Sequence, residues 1–216
     1  MSIRYPDSCL IQFAKAPLQG QVKTRMQSAL GENGCLKLHK FLVEHQLSQH
    51  HQSGVSDFEL WCSAEHPFFD QLVAETLVEK TRVPVYVQQG EDLGERMFNA
   101  FLDRFQQYSY VILIGSDCPF LDNDYVIDAI DRLKHGVPAV FGPATDGGYV
   151  LIGLSRLDAS LFEGVQWGTD QVMAQTRGRL KALDWQWEEL PHLSDIDRTE
   201  DLELLFCDEK LRVFLE

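Results

Sequence analysis

Short apolar runs alternate with longer amphipathic ones along almost the whole chain, and this alternation limits the fold more than any single motif. CLIQFAK (9–15) has the apolar continuity of a buried strand, and CLKLHKFLVEHQLSQH (35–50) has the spacing of a helix. DFELWCSA (57–64) reads as a strand, PFFDQLVAETL (67–77) as a helix and PVYVQQ (84–89) as a strand. In LGERMFNAFLDRF (93–105), Leu93, Met97, Phe101 and Phe105 recur four apart, as on a helix face against a core. YVILIGS (110–116) is a further strand, DYVIDAIDRLK (124–134) a helix, and PAVFGPA (138–144) and GYVLIGL (148–154) are strands. A helix near 169–182, a strand at WQWEELP (185–191) and a closing helix at TEDLELLF (199–206) complete the pattern. Strands separated by helices of this length predict a mostly parallel central sheet with helices on both faces. No repeat, linker or low-complexity segment interrupts the 216 residues, so one domain spanning 1–216 is expected. Ligands of such sheets bind beyond the carboxyl ends of the strands, which makes the ends of 9–15 and 110–116 the expected working edge.

Composition narrows the partners. Thirty-three acids against 19 Lys and Arg give a net charge of −14, which argues against a nucleic-acid polymer or an anionic membrane. An anionic ligand must therefore meet a local cluster of cations. The five cysteines (Cys9, Cys35, Cys62, Cys118, Cys207) are scattered and never form C-x-x-C, so reduced thiols and a cytoplasmic location are expected. Pro6 and Asp7 interrupt the N-terminal stretch where a signal peptide needs apolar residues, and no window approaches the ~18 apolar residues of a membrane span. His39, His45, His50 and His51 lack the i,i+4 spacing that puts two metal ligands on one helix face, and a solvated helix face is expected there.

Four stretches carry the candidate chemistry. AKAPLQGQVKTRM (14–26) follows the first strand and crowds Lys15, Lys23 and Arg25 around Pro17 and Gly20 in an otherwise acidic chain. Such a loop can hold a pyrophosphate through backbone N–H groups and charge-assisted bonds, although it lacks the Walker A spacing. In YVILIGSDCPFL (110–121) an apolar run stops at Asp117, just before Cys118-Pro119. That acid either caps the next turn or serves a hard cation such as Mg²⁺, which takes one or two carboxylates together with phosphate oxygens. Asp146 precedes Gly147-Gly148, where backbone can approach a ligand closely, and Asp195 and Asp197 stand just before the closing helix. For those last two acids, helix capping is the competing reading.

FAKAPLQGQVKTRM, GEDLGERM, GSDCPFL, GPATDGGYVLIGL, WGTDQV and DIDRTEDL resemble, in that order, the DUF2064 family of glycosyltransferase-like proteins. These belong to the nucleotide-diphospho-sugar transferase superfamily. A weaker likeness to 2-phospholactate and molybdenum-cofactor guanylyltransferases rests on the basic loop, the acid at a central strand end and the late acidic segment. The resemblance implies a single-domain Rossmann-like α/β protein of the GT-A fold. It implies that Lys15, Lys23 and Arg25 contact nucleotide phosphates, with Gly94 and Arg96 near the base. Asp117 and Asp146 would be the catalytic acids, and Asp117 with Asp197 would hold Mg²⁺ or Mn²⁺. Asp146, Gly147, Gly148, Trp167 and Thr169 would form the sugar or acceptor pocket.

Two departures from the family pattern stand out. Gly115 occupies the place of the first acid of the D-x-D found in glycosyltransferases of this fold, and Arg198-Thr199 replaces a Thr-Pro. The leading expectation is a divalent-metal-dependent glycosyltransferase-like enzyme using a nucleotide-diphospho-sugar donor and a small-molecule acceptor. The alternatives are a guanylyltransferase-like nucleotidyltransferase acting on a small phosphorylated substrate, and a protein that binds a nucleotide or sugar without turnover.

Overall fold

The computed structural model describes residues 3–75, 83–205 and 211. Seven strands form one sheet in the order β3-β2-β1-β4-β6-β5-β7. They are β1 (Ser8–Ala14), β2 (Asp57–Cys62), β3 (Val85–Val87), β4 (Tyr110–Gly115), β5 (Ala139–Pro143), β6 (Tyr149–Leu154) and β7 (Trp187–Glu189). β1 to β4 run parallel, and β7 runs parallel to β5. β6 is antiparallel to both of its neighbours, because the short 144–148 turn returns the chain directly beside β5.

Period-2 alternation sorts the strand residues onto two cores. Leu10, Ile112, Ile114 and Val140 face one cluster, and Ile11, Val111, Leu113 and Phe141 face the other. Helices α1 (Gln27–His51), α2 (Pro67–Glu75) and α4 (Asn123–Lys134) cover the first face through residues such as Leu47, Phe69 and Ile130. Helices α3 (Leu93–Arg104) and α5 (Val172–Ala182) cover the second through Met97, Phe101 and Leu180. The protein is therefore an α/β fold of the expected kind, mostly parallel with helices on both faces.

Element bounds differ from the expectations for local reasons. The first helix begins at Gln27 rather than 35, and it contains a kink at Gly31, which adopts φ 64° and ψ 172°. A side chain at that φ is disfavoured, so glycine supplies the break. The closing helix is a 3₁₀ turn (Thr199–Asp201) followed by α6 (Leu202–Leu205), and Phe206 lies outside the described residues. The end of the 67–77 helix and Cys207 also lie outside them. No described helix is long and apolar enough to cross a membrane, and Cys9, Cys35, Cys62 and Cys118 are buried free thiols.

The histidine expectation is corrected. His39 and His50 are buried, not on a solvated face. His39 Nε2 lies 2.9 Å from the Lys15 carbonyl, and the His50 ring is held by Asn123 Oδ1 and Gln46 Oε1, each at 2.8 Å. Polar partners, Lys15 and Asn123 on other segments and Gln46 one turn earlier in the same helix, let the imidazoles enter the core.

Candidate active site at the carboxyl edge of the sheet

The 115–121 segment that follows β4 is fixed from beneath by buried amides. Gln12 Nε2 donates to Ser116 Oγ at 2.9 Å, and Ser116 Oγ donates to the Phe13 carbonyl at 2.8 Å. Gln46 donates to the Cys118 carbonyl, and Gln49 to that of Leu121 at 2.6 Å. Asp117 is thereby set at the edge with little freedom. It does not cap the next helix; Asp122 does, accepting from Tyr125 N at 2.9 Å. The helix cap is therefore supplied by Asp122 rather than Asp117.

A late segment crosses the same edge. Leu193 N donates to the Pro143 carbonyl at 3.1 Å, and Ile196 N donates to the Asp117 carbonyl at 2.8 Å. Ile196 itself is fully buried with Met26, Leu38 and Leu42. These ties carry Asp195 and Asp197 to Asp117 across some 80 residues of sequence. Burial raises the Asp195 carboxyl to about 6, helped by the nearby charges of Asp146, Asp117 and Asp197. Thr145, Asp146, Asp195, Asp197, Arg198 and Asp201 line a cleft of 310 Å³ here.

The basic loop is divided by function. Lys23 is buried in a left-handed conformation (φ 50°), and its Nζ donates to the Ile196 carbonyl at 2.5 Å. The same ammonium lies 2.8 Å from Asp117 Oδ1 and 3.9 Å from Asp197 Oδ1. Arg25, half exposed, holds Asp197 Oδ2 at 2.6 Å. Lys15 is exposed and makes no ion pair among the described residues. Asp117 stays ionised below the usual carboxylate range: burial opposes this, but Lys23, His39 and Lys15 outweigh it. Of the three cations expected on phosphates, only Lys15 and Arg25 present charge to solvent; Lys23 spends its ammonium on protein oxygens.

Asp117 Oδ1 is buried and takes no hydrogen bond of good geometry, its one close cation being Lys23 Nζ. An acceptor of this kind, with Asp197 beside the same ammonium, is a donor set that Mg²⁺ or Mn²⁺ can use together with phosphate oxygens. Among the described residues no cluster of three or more His, Cys, Asp or Glu is assembled for a metal.

On the α3 and α5 face of the same edge lies a second cavity, of 190 Å³. Its floor is the end of the sheet, at Phe13, Leu113, Gly115 and Ile152, with Leu93 and Met97 of α3 as one wall. Trp167 and Tyr149, edge to face with centroids 6.4 Å apart, form the other side. Asp146, Gly148 and Thr169 reach the cavity. Gly147 does not line it. Its φ of +94° and close approach to the Asp170 carbonyl serve the turn instead, and its own carbonyl accepts from Met173 N at 2.9 Å. The Thr169 hydroxyl is spent within its loop, donating to the Gln166 carbonyl at 2.8 Å. Asp146 borders both the cavity and the acidic cleft.

Gly94 and Arg96 sit in the first turn of α3. A Cβ on Gly94 would lie 2.8 Å from both the Phe162 carbonyl and Trp167 Nε1, so the glycine seats the indole. Arg96 Nε donates to the Gly90 carbonyl at 2.9 Å and holds the preceding loop. Sequence reasoning missed Gln12, Gln46, Phe13, Met97 and Tyr149. A polar Gln12 inside the apolar run CLIQFA was the one available signal.

No curated protein matches the sequence. Among solved structures, the chain is similar to a candidate nucleotide-diphospho-sugar transferase from Desulfovibrio desulfuricans G20. The two are 29% identical, with 97% of this chain and 94% of that one covered and a TM-score of 0.85. The fold is shared with CMP:2-keto-3-deoxy-manno-octonic acid synthetase complexed with CTP, at 10% identity, 93% and 97% coverage and a TM-score of 0.58. It is shared as well with 4-diphosphocytidyl-2C-methyl-D-erythritol synthase from Anaerococcus prevotii DSM 20548, at 12% identity, 99% and 97% coverage and a TM-score of 0.57. Residues 46–169 match the family described as "Uncharacterized protein conserved in bacteria (DUF2064)", and the chain belongs to that family.

Proposed function

We propose that the protein is a transferase that moves a group from a nucleotide-bound donor to a small acceptor, with glycosyl transfer from a nucleotide-diphospho-sugar as the leading reading. The observation that carries it is the convergence on Lys23 Nζ. One ammonium joins the loop after β1, the acid after β4 and the late acidic segment at the carboxyl edge of the sheet. The likeness to the Desulfovibrio protein supports the sugar-nucleotide side. Gly115, standing where an acid would complete D-x-D, favours a second reading, nucleotidyl transfer.

In either chemistry the chain's own groups have distinct tasks. Lys15 and Arg25 bind donor phosphates through charge-assisted bonds. Asp117 and Asp197 would hold Mg²⁺ or Mn²⁺, which when bound neutralises charge on the leaving phosphate. Asp146 Oδ1 is held by Gly148 N at 2.9 Å, which leaves Oδ2 to take the acceptor's proton. The cavity beside it orients the acceptor and excludes water.

A thermal-shift panel of nucleoside diphosphates, triphosphates and sugar nucleotides, with Mg²⁺, Mn²⁺ or EDTA, tests the reading. A bound nucleotide raises stability by RT ln(1 + [L]/Kd), and the metal arm should give the larger shift. Metal-dependent release of nucleoside diphosphate from a sugar nucleotide identifies glycosyl transfer. Pyrophosphate release from a triphosphate identifies the second reading, and binding with neither product after an acceptor screen leaves a non-catalytic binder.

A further inference from the structure

The cavity beside Asp146 is poor in polar groups for a sugar site. Its sheet floor and α3 wall are apolar, and two aromatic rings close it. The polar groups at hand are few. Asp146 keeps one oxygen after Gly148 N takes the other, and the Thr169 hydroxyl is already bonded within its loop. Trp167 Nε1 is buried and lacks an acceptor among the described residues. A free sugar buried here would leave several hydroxyls without partners, and each such loss costs about tenfold in affinity.

Volume sets the size of the occupant. At 190 Å³ the cavity is a little larger than the ~150 Å³ apolar cavity known to bind benzene. One ring with a short polar arm matches that volume. The space exists because of Gly115, which lies in register with Phe13 at the end of β4 and lines the cavity. A Cβ there would meet nothing within 4 Å, so a side chain at this position projects into open volume. The glycine that departs from D-x-D thus opens the pocket floor.

Resting on the transferase reading above, we propose that this cavity takes the acceptor, that the acceptor is a small alcohol built on a single apolar ring, and that Gly115 sets this specificity. In the transfer, the acceptor oxygen bonds to the donor's electrophilic centre and its proton passes to Asp146 Oδ2. The bond to the donor's leaving phosphate breaks with its electron pair on the phosphate oxygen.

Saturation-transfer NMR on the full chain, with benzyl alcohol and cyclohexylmethanol against glycerol and myo-inositol, tests the proposal. The ring alcohols should bind the wild type and the polyols should not. Gly115→Val should weaken ring-alcohol binding at least tenfold, with Gly115→Ala intermediate and available should the larger residue impair folding. Equal binding of inositol, or ring-alcohol affinity unmoved by either variant, would overturn the proposal. Nucleotide binding is read separately on the wild type. Ring binding without any nucleotide binding would remove the transferase reading and keep the ligand class of the cavity. Nucleotide binding without ring binding would do the reverse.

Discussion

Lys23 Nζ lies 2.8 Å from Asp117 Oδ1 and donates at 2.5 Å to the carbonyl of Ile196, so one buried ammonium fastens the end of the central strand to the late acidic segment.

Removing that ammonium should be costly to the ligand-free protein. Lys23→Met leaves Asp117 Oδ1 buried without its counter-charge and the Ile196 carbonyl without a donor. The expected loss is about 1–3 kcal/mol, below the full value for a buried pair because the Asp117 side chain is 46% exposed. Urea denaturation measures it, and adding Asp117→Asn should recover part of the loss through their coupling. An unchanged midpoint for Lys23→Met would show that the pair contributes nothing.

Lys15 should behave differently, because its charge is free. Lys15→Ala should leave the urea midpoint of the ligand-free protein nearly unchanged. If it meets donor phosphates, nucleoside diphosphate affinity should fall roughly tenfold to a hundredfold, with little effect on a nucleoside. Calorimetric titration separates the two. Equal diphosphate affinity in wild type and variant would take Lys15 out of the site.

The strands and the helices that cover them were legible because each carries its own periodicity. Met97 and Phe101 mark the buried side of α3 without any knowledge of its neighbours, whereas Leu93, expected on the same face, is 42% exposed at the start of the helix. The sheet edge that gathers the candidate residues was legible too, since an apolar run ending in Gly115-Ser116-Asp117 implies a strand end. What stayed hidden depends on contacts between distant segments. The pairing of Lys23 with Asp117 spans 94 positions, and nothing around Lys23 distinguishes it from the exposed Lys15. The buried His39 and His50 read as surface because the Lys15 carbonyl and the Asn123 amide that they meet lie on other elements. The basic loop and Asp197 also fall outside the family match at 46–169, so their place in the site rests on geometry.

Two glycines separate turn strain from open space. Gly147→Ala meets both a φ of +94° and a Cβ position 2.3 Å from the Asp170 carbonyl. It should destabilise by about 2–5 kcal/mol and disturb the turn that holds Asp146. Gly178, inside α5, has nothing within 4 Å of its Cβ position. Gly178→Ala should therefore stabilise by about 0.5–1 kcal/mol. Chemical denaturation of both variants checks the contrast, and similar effects of the two substitutions would contradict it.

The buried histidines should make the fold acid-sensitive. Burial lowers the His39 ring below the ordinary imidazole value, against the Lys15 carbonyl and Asp117, which favour the proton. Burial lowers His50 likewise, against its contacts with Asn123 and Leu121. A depressed folded-state value means that the unfolded chain binds the proton first as pH falls. Their contribution is thus complete above about pH 6.5 and is lost progressively below it, as protons bind the unfolded state. Each histidine adds a slope of at most about 1.4 kcal/mol per pH unit in that window. Urea midpoints at pH 8, 6.5 and 5.5 should fall most steeply in the wild type. The substitution His50→Gln keeps an amide able to bond Gln46 and Asn123, and should flatten the fall by up to one proton while lowering stability at pH 8. Combining it with His39→Gln should flatten it further. Matching pH profiles for wild type and double variant would mean that neither buried ring resists protonation, and that the acid sensitivity arises from the carboxylates instead.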